Sequence, residues 1–133
     1  MSEPNRALGL HFFTMQDRLR GGPDPSLCDP GYTAKVNGNS MDLIGHTQFA
    51  GAFYAAFPDL NHLIEDTVAD DQKVAVRFIL EGTQKGDFMG IPATGKRMSV
   101  EGVGILQIRD GKVTELRGVF DQATMMRQLG DSA

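Results

Sequence analysis

A chain of 133 residues can bury one hydrophobic core but not two independent ones, so a single domain is expected from end to end. Seventeen acidic against thirteen basic residues give a formal charge of −4, and the Lys and Arg residues are scattered rather than gathered into a stripe that tracks phosphates, which argues against nucleic acid as a partner. The opening residues lack a basic flank followed by an apolar run, and no stretch approaches the roughly 20 apolar residues that span a bilayer; no membrane association is expected, and the cytoplasm is the expected compartment. Cys28 is the single cysteine, so it closes no intrachain disulfide and reads as a structural thiol.

Leu8, Phe12, Met15 and Leu19 recur at helical spacing and Gly21-Gly22-Pro23 follows as a stop, which predicts a first helix over 6–20. Residues 25–41 carry two prolines, two glycines and sparse apolar anchors such as Leu27 and Tyr32, and read as a short helical turn followed by loop. Between His46 and Ala56 the set Phe49, Ala52, Phe53 and Ala56 returns to a period of 3.6. Pro58 ends that second helix, because proline can neither donate the next hydrogen bond nor continue the turn.

Beyond Pro58 the period becomes two. Residues 61–69, 73–82, 97–109 and 112–120 read as strands in a meander, with turns at Asp70-Asp71-Gln72 and Asp110-Gly111 and a Gly- and Pro-rich join over 84–96. A last short helix is predicted over 122–129, with Gly130 as its stop. Counting back from a two-residue loop at Asp110-Gly111 sets Leu106 opposite Glu115, Gly104 opposite Arg117 and Gly102 opposite Val119. In that register Val113, Glu115, Arg117, Val119 and Asp121 share a face with the two glycines, whose missing side chains leave room for a ligand, while Ile105, Leu116 and Phe120 fall on the other face. A bulge near the loop would slip the pairing by one residue and exchange the faces.

Several short runs then occur in order over residues 43–130: Ala56-Phe57-Pro58-Asp59-Leu60, Ile64-Glu65-Asp66, Lys73-Val74-Ala75-Val76-Arg77-Phe78, the loop GTQKGDFMGIPATGKRM, the hairpin IRDGKVTE and the tail GVFDQATMMRQLG. Together they resemble the SnoaL-like polyketide cyclases. The resemblance implies a cone-shaped α+β fold like that of nuclear transport factor 2 and ketosteroid isomerase, with N-terminal helices packed on a curved, mostly antiparallel sheet. It further implies an intramolecular aldol ring closure on a hydrophobic or aromatic polyketide ester, without metal or organic cofactor, by a homodimer or larger homo-oligomer.

Asp121 matches the family's general acid/base. A carboxylate there would take a proton from an activated carbon and its acid form would return one to the developing oxyanion, helped by an apolar cavity that raises its pKa. Asp121 also stands where a strand hands over to a helix, the place of an N-cap bonded to the backbone of Ala123 or Thr124. Arg117 stands where members commonly carry Trp, Gln84 where they often carry His, and residues 32–37 where they have a His-containing segment, so the pocket's polarity is altered. Arg117 pointing inward would bind a substrate carboxylate or stabilise an enolate; the alternative is a salt bridge to Glu115, two residues away on the same face.

His46 opens the helix expected to cover the cavity, and Met15, Phe49, Phe53 and Met89 are candidate lining residues together with Tyr32. His11, His46 and His62 show no metal-ligand spacing, and His11 and His62 read as surface or hydrogen-bonded residues. Two other functions fit the same residues: an isomerase or hydroxylase-like activity on a fused-ring compound, and a noncatalytic ligand-binding or dimerisation module in which Asp121 is only a cap.

Overall fold

The computed structural model describes residues 2–130. The first helix, α1 (Glu3–Leu19), carries Pro4 in its first turn, where a missing N–H costs nothing, and stops at Arg20, which turns left-handed while the N–H of Gly21 bonds to the carbonyl of Gln16. Its buried side is Gly9, Phe12, Phe13 and Gln16. The inward stripe is therefore rotated from the expected one: Met15 is only half-buried, and Leu19 is exposed. Gly9 lets the helix lie directly on the sheet, since a Cβ there would sit 2.6 Å from Val74 Cγ1.

A single 3-10 turn (Pro25–Leu27) follows, and then two strands stand where the sequence reads as loop: β1 (Cys28–Val36) and β2 (Asn39–Asp42). Tyr32, Ala34 and Val36 are buried and alternate with exposed Thr33 and Lys35, while Asn37 and Gly38 take φ of 48° and 86° in the turn between the strands. Pro30 and Gly31 obscure this alternation in the sequence, and the pairing of β1 is irregular between Cys28 and Thr33.

The second helix, α2 (Leu43–Ala56), begins three residues earlier than the periodicity suggests, because Asp42 caps it by accepting from the N–H of Gly45 at 2.8 Å. It buries His46, Ala50, Phe53 and Tyr54, whereas Ala52 faces out. Four longer strands complete the sheet: β3 (Asn61–Ala69), β4 (Lys73–Thr83), β5 (Arg97–Arg109) and β6 (Lys112–Phe120), followed by α3 (Gln122–Leu129). The sheet order is β2-β1-β6-β5-β4-β3, antiparallel except where β1 runs parallel to β6. Two helices cover the sheet, α1 over β3 and β4 and α2 beside β1 and β2, while α3 lies against β5. No described helix is long and apolar enough to cross a membrane.

One bulge overturns the expected β5–β6 register. Ile108 pairs with Val113 but Gln107 pairs with Glu115, so Thr114 is the extra residue and every later partner shifts by one. Leu106 faces Leu116, Gly104 faces Gly118 and Gly102 faces Phe120. Leu116 and Phe120 therefore belong to the inner face, while Glu115, Arg117 and Val119 turn outward with Ile105. The space beside the glycines is also occupied: a Cβ on Gly102 would meet Phe78 Cε1 at 2.6 Å, and one on Gly104 would meet Phe13 Cζ at 2.7 Å and Leu116 Cδ1 at 3.1 Å.

Phe13 cannot retreat easily, because Phe12, Phe78 and His62 surround its ring at 5.3–5.5 Å between centroids. Gly104→Ala is expected to lower stability by about 1–3 kcal/mol through overpacking. Gly118→Ala, whose Cβ would meet nothing nearer than Val103 O at 3.6 Å, is expected to change it much less, and urea denaturation of the two variants checks the contrast.

Candidate functional site

Between α1, α2 and the inner face of the sheet lies a cavity with about 80 Å³ open to the centre of a water molecule. Gly104 and Gly118, paired across β5 and β6, lie on its floor, where Phe13 packs against Gly104 and only Gly118 is uncrowded, and Phe13, Phe49, Phe53, Phe78 and Phe120 supply aromatic walls. Four polar side chains reach it: Gln16 from α1, His46 and Tyr54 from α2, and His62 from β3. None comes from the β5–β6 floor, so the polarity of the cavity is one-sided.

Asp17, the residue after Gln16, organises half of that polar side. Its Oδ1 lies 2.8 Å from His62 Nδ1 and accepts from the Tyr54 hydroxyl at 2.6 Å, while Oδ2 accepts from the backbone N–H of His62 at 2.8 Å. Burial pushes the Asp17 carboxyl up, but the bond and charge of His62 and the Tyr54 bond outweigh it and hold the group below its ordinary value. Burial, with Asp17 adding to it, pushes the Tyr54 phenol up. Three residues on, the Arg20 guanidinium donates to the carbonyls of Leu60 at 2.7 Å and Phe57 at 3.2 Å and sits 4.7 Å from the centre of the Tyr54 ring. The His62 ring lies between Phe13 and Phe78, with centroids 5.5 and 4.9 Å away.

His46 forms the other half. Its Nδ1 is 2.9 Å from the Tyr32 hydroxyl, and the two rings stack with an interplanar angle of 9°. Burial, aided by the charge of His62, pulls His46 down to about 4, and burial pushes the Tyr32 phenol up. Both groups are neutral near pH 7.

Of the residues singled out in the sequence, His46, Phe49 and Phe53 line this cavity, and Tyr32 stands behind His46 as its partner. The others lie elsewhere. Asp121 is the N-cap of α3, an exposed carboxylate that accepts from the N–H of Thr124 at 3.0 Å and from its hydroxyl at 2.7 Å; these bonds hold its carboxyl below the ordinary value. Arg117 points outward from β6 and pairs with Glu115 at 3.4 Å. Gln84 is fully buried in the 84–96 loop, where its amide donates to the carbonyls of Gly86 and Ile91 at 3.0 Å and accepts from the Thr94 hydroxyl at 2.8 Å, so it braces the loop. Met89 is 55 % exposed in the same loop, and Met15 is half-buried outside the cavity lining.

Asp17, Tyr54, Gln16 and His62 were not expected at a site. His46 carries a signal in its spacing to Ala50 and Phe53, and His62 in its alternation with Leu60 and Ile64. The pairing of Asp17 with His62 spans 45 positions and leaves no local trace. Burial raises the Cys28 thiol to about 11, which makes it a poor nucleophile. Among the described residues no three His, Cys, Asp or Glu side chains gather as metal ligands.

Helices laid over one face of a curved, mostly antiparallel sheet with a cavity between them define a nuclear transport factor 2-like domain. Residues 25–129 match the family model of the SnoaL-like polyketide cyclases, and the chain belongs to that family. It is 34% identical over 97 residues to aklanonic acid methyl ester cyclase DnrD of Streptomyces peucetius, a match covering 70% of this chain and 67% of DnrD. Identity to the corresponding cyclase DauD of Streptomyces sp. (strain C5) is also 34%, over 60% of that protein's length. The crystal structure of AclR, a candidate hydroxylase from Streptomyces galilaeus, superposes with a TM-score of 0.87 at 27% identity, over 98% of both chains.

The buried His46 has a consequence for stability. The unfolded chain protonates this imidazole below about 6.5, whereas the folded protein refuses the proton down to about 4. Stability therefore falls as the pH drops through that window, by up to about 3 kcal/mol for a difference of this size. Asp17 adds a loss in the same direction at lower pH, since the advantage of its depressed carboxyl disappears as the pH falls through the folded value. Urea denaturation at a series of pH values is expected to show the decline, and His46→Gln is expected to flatten its upper part.

Proposed function

We propose that this chain closes a ring on an aromatic polyketide ester by intramolecular aldol addition inside the cavity. The observation that carries the reading is the one-sided polarity of that cavity: an apolar ligand would contact the aromatic walls and turn its oxygen-bearing edge to Gln16, His46, Tyr54 and His62. Ring closure needs one group to remove a proton from carbon and another to hold the oxygen on which charge develops, and apolar walls strengthen both interactions. The names of DnrD and DauD, which are cyclases of a polyketide methyl ester, support the same substrate class.

The acid/base work is assigned to the cavity, because Asp121 is engaged as a cap on the surface. The kinship with AclR supports a second reading, hydroxylase-like chemistry on a fused-ring compound. Purified protein incubated with a panel of aromatic polyketide methyl esters is expected to release cyclised product, and product mass separates ring closure from hydroxylation. Asp121→Asn, which keeps a capping side-chain oxygen, is expected to keep turnover within about threefold with little change in melting temperature; a loss of about 10² or more would place the acid/base group at Asp121 instead.

We also infer self-association through the outer face of the sheet. Leu63, Val68, Ile105 and Val119 are exposed there by 45–70 %, and strand pairing sets Ile79, Ala75 and Val103 directly beside them. Light scattering on a sizing column is expected to give at least twice the chain mass; a strict monomer would remove this inference.

A further inference from the structure

The two cavity histidines are held in opposite tautomers by their partners. Asp17 is ionised and can only accept, so the bond at His62 Nδ1 requires the proton to sit on that nitrogen. In the neutral form of the ring the Nε2 atom carries the lone pair, and it makes no hydrogen bond to any described residue although His62 lines the cavity. At His46 the order is reversed. The Tyr32 phenol stays protonated, has no other partner among the described residues and is a stronger donor than an imidazole N–H, so it donates to Nδ1. The proton of the neutral His46 ring is thereby placed on Nε2. One imidazole offers the cavity a lone pair and the other an N–H.

We propose that His62 and His46 form the base and donor pair of this cavity, with Asp17 and Tyr32 as their positioning residues. The proposal rests on the ring-closure reading for its substrate, a compound with a C–H made acidic by adjacent carbonyls. His62 Nε2 takes that proton, the C–H electron pair moves into the enolate, and the enolate oxygen is held by the Nε2–H of His46. The enolate carbon then attacks the second carbonyl carbon. A C–C bond forms, the C=O π pair moves to oxygen, and the resulting alkoxide recovers the proton from the His62 imidazolium, leaving both rings as they began. Throughout, Asp17 keeps His62 oriented and stabilises its charged form without itself taking the proton.

Long-range ¹H–¹⁵N spectra of the free wild-type protein read both tautomers without substrate or mutation. The expected result is a protonated Nδ1 at His62 and a protonated Nε2 at His46; the reverse assignment at either ring overturns the pair. In turnover of the ester panel, His62→Gln is expected to lose about 10² or more in kcat with little change in KM. Asp17→Asn is expected to lower kcat and to release the Nδ1–H tautomer of His62, a change that a merely structural residue would not cause. Wild-type kcat in His62→Gln would overturn the proposal. If the wild type turns over no ester, the ring-closure reading fails, and the pair is judged on titration with a dihydroxyanthraquinone. Shifts of both Nε2 resonances would then support it, and no shift at either would overturn it.

Discussion

Three elements distant in sequence meet at one carboxylate. Asp17 closes the last turns of α1, Tyr54 belongs to α2 and His62 to the start of β3, and all three of the donors bonded to Asp17 come from the latter two residues. A partly buried carboxylate is costly unless its oxygens are satisfied, so once α1 lies on the sheet its last turn has little freedom in register. Arg20 repeats the constraint one turn later by bonding the carbonyls of Phe57 and Leu60, on the chain that leads from α2 into β3. The gap between helices and sheet is thus fixed by polar bonds at one end, and apolar packing fills the rest.

The floor of the cavity depends on a different device. Thr114, as the extra residue of a bulge, exchanges the faces of β6, so that Leu116, Gly118 and Phe120 look inward and the charged pair Glu115–Arg117 looks out. Without the bulge a guanidinium would lie among Phe13, Phe53 and Phe78, where its desolvation would need an ionised partner. With it, every charged or strongly polar group at the cavity comes from α1, α2 or β3. The chemical asymmetry of the site therefore follows from one inserted residue in a hairpin.

Local patterns made most of this fold legible. The four long strands, their hairpin turns and the last helix fall where alternation and turn residues put them, and α1 and α2 are displaced only at their starts. β1 and β2 were hidden because Pro30, Gly31 and an irregular pairing interrupt the alternation, although Asn37-Gly38 carries the composition of a tight hairpin turn. The site was less legible. His46, Phe49 and Phe53 could be placed because one helix period fixes their side, whereas Arg117 depended on a register that a single bulge reverses. Asp17 and His62 find one another only through the packing of α1 against β3, a contact that neither segment announces.

Asp121 and the histidine pair differ in what their surroundings allow. The Asp121 carboxylate is exposed, is bonded twice to Thr124 and has its pKa depressed, so near neutral pH it is a weak base and holds no proton to donate. An imidazole can take a proton at one nitrogen while the other stays bonded to an orienting group, and return it within one cycle. His62 has the orienting carboxylate for that task, while desolvation of His46 to about 4 removes it from proton transfer and leaves it a fixed neutral donor. Two residues of one type thus acquire different work from their neighbours, one from an anion and one from a phenol, on the same side of an apolar cavity.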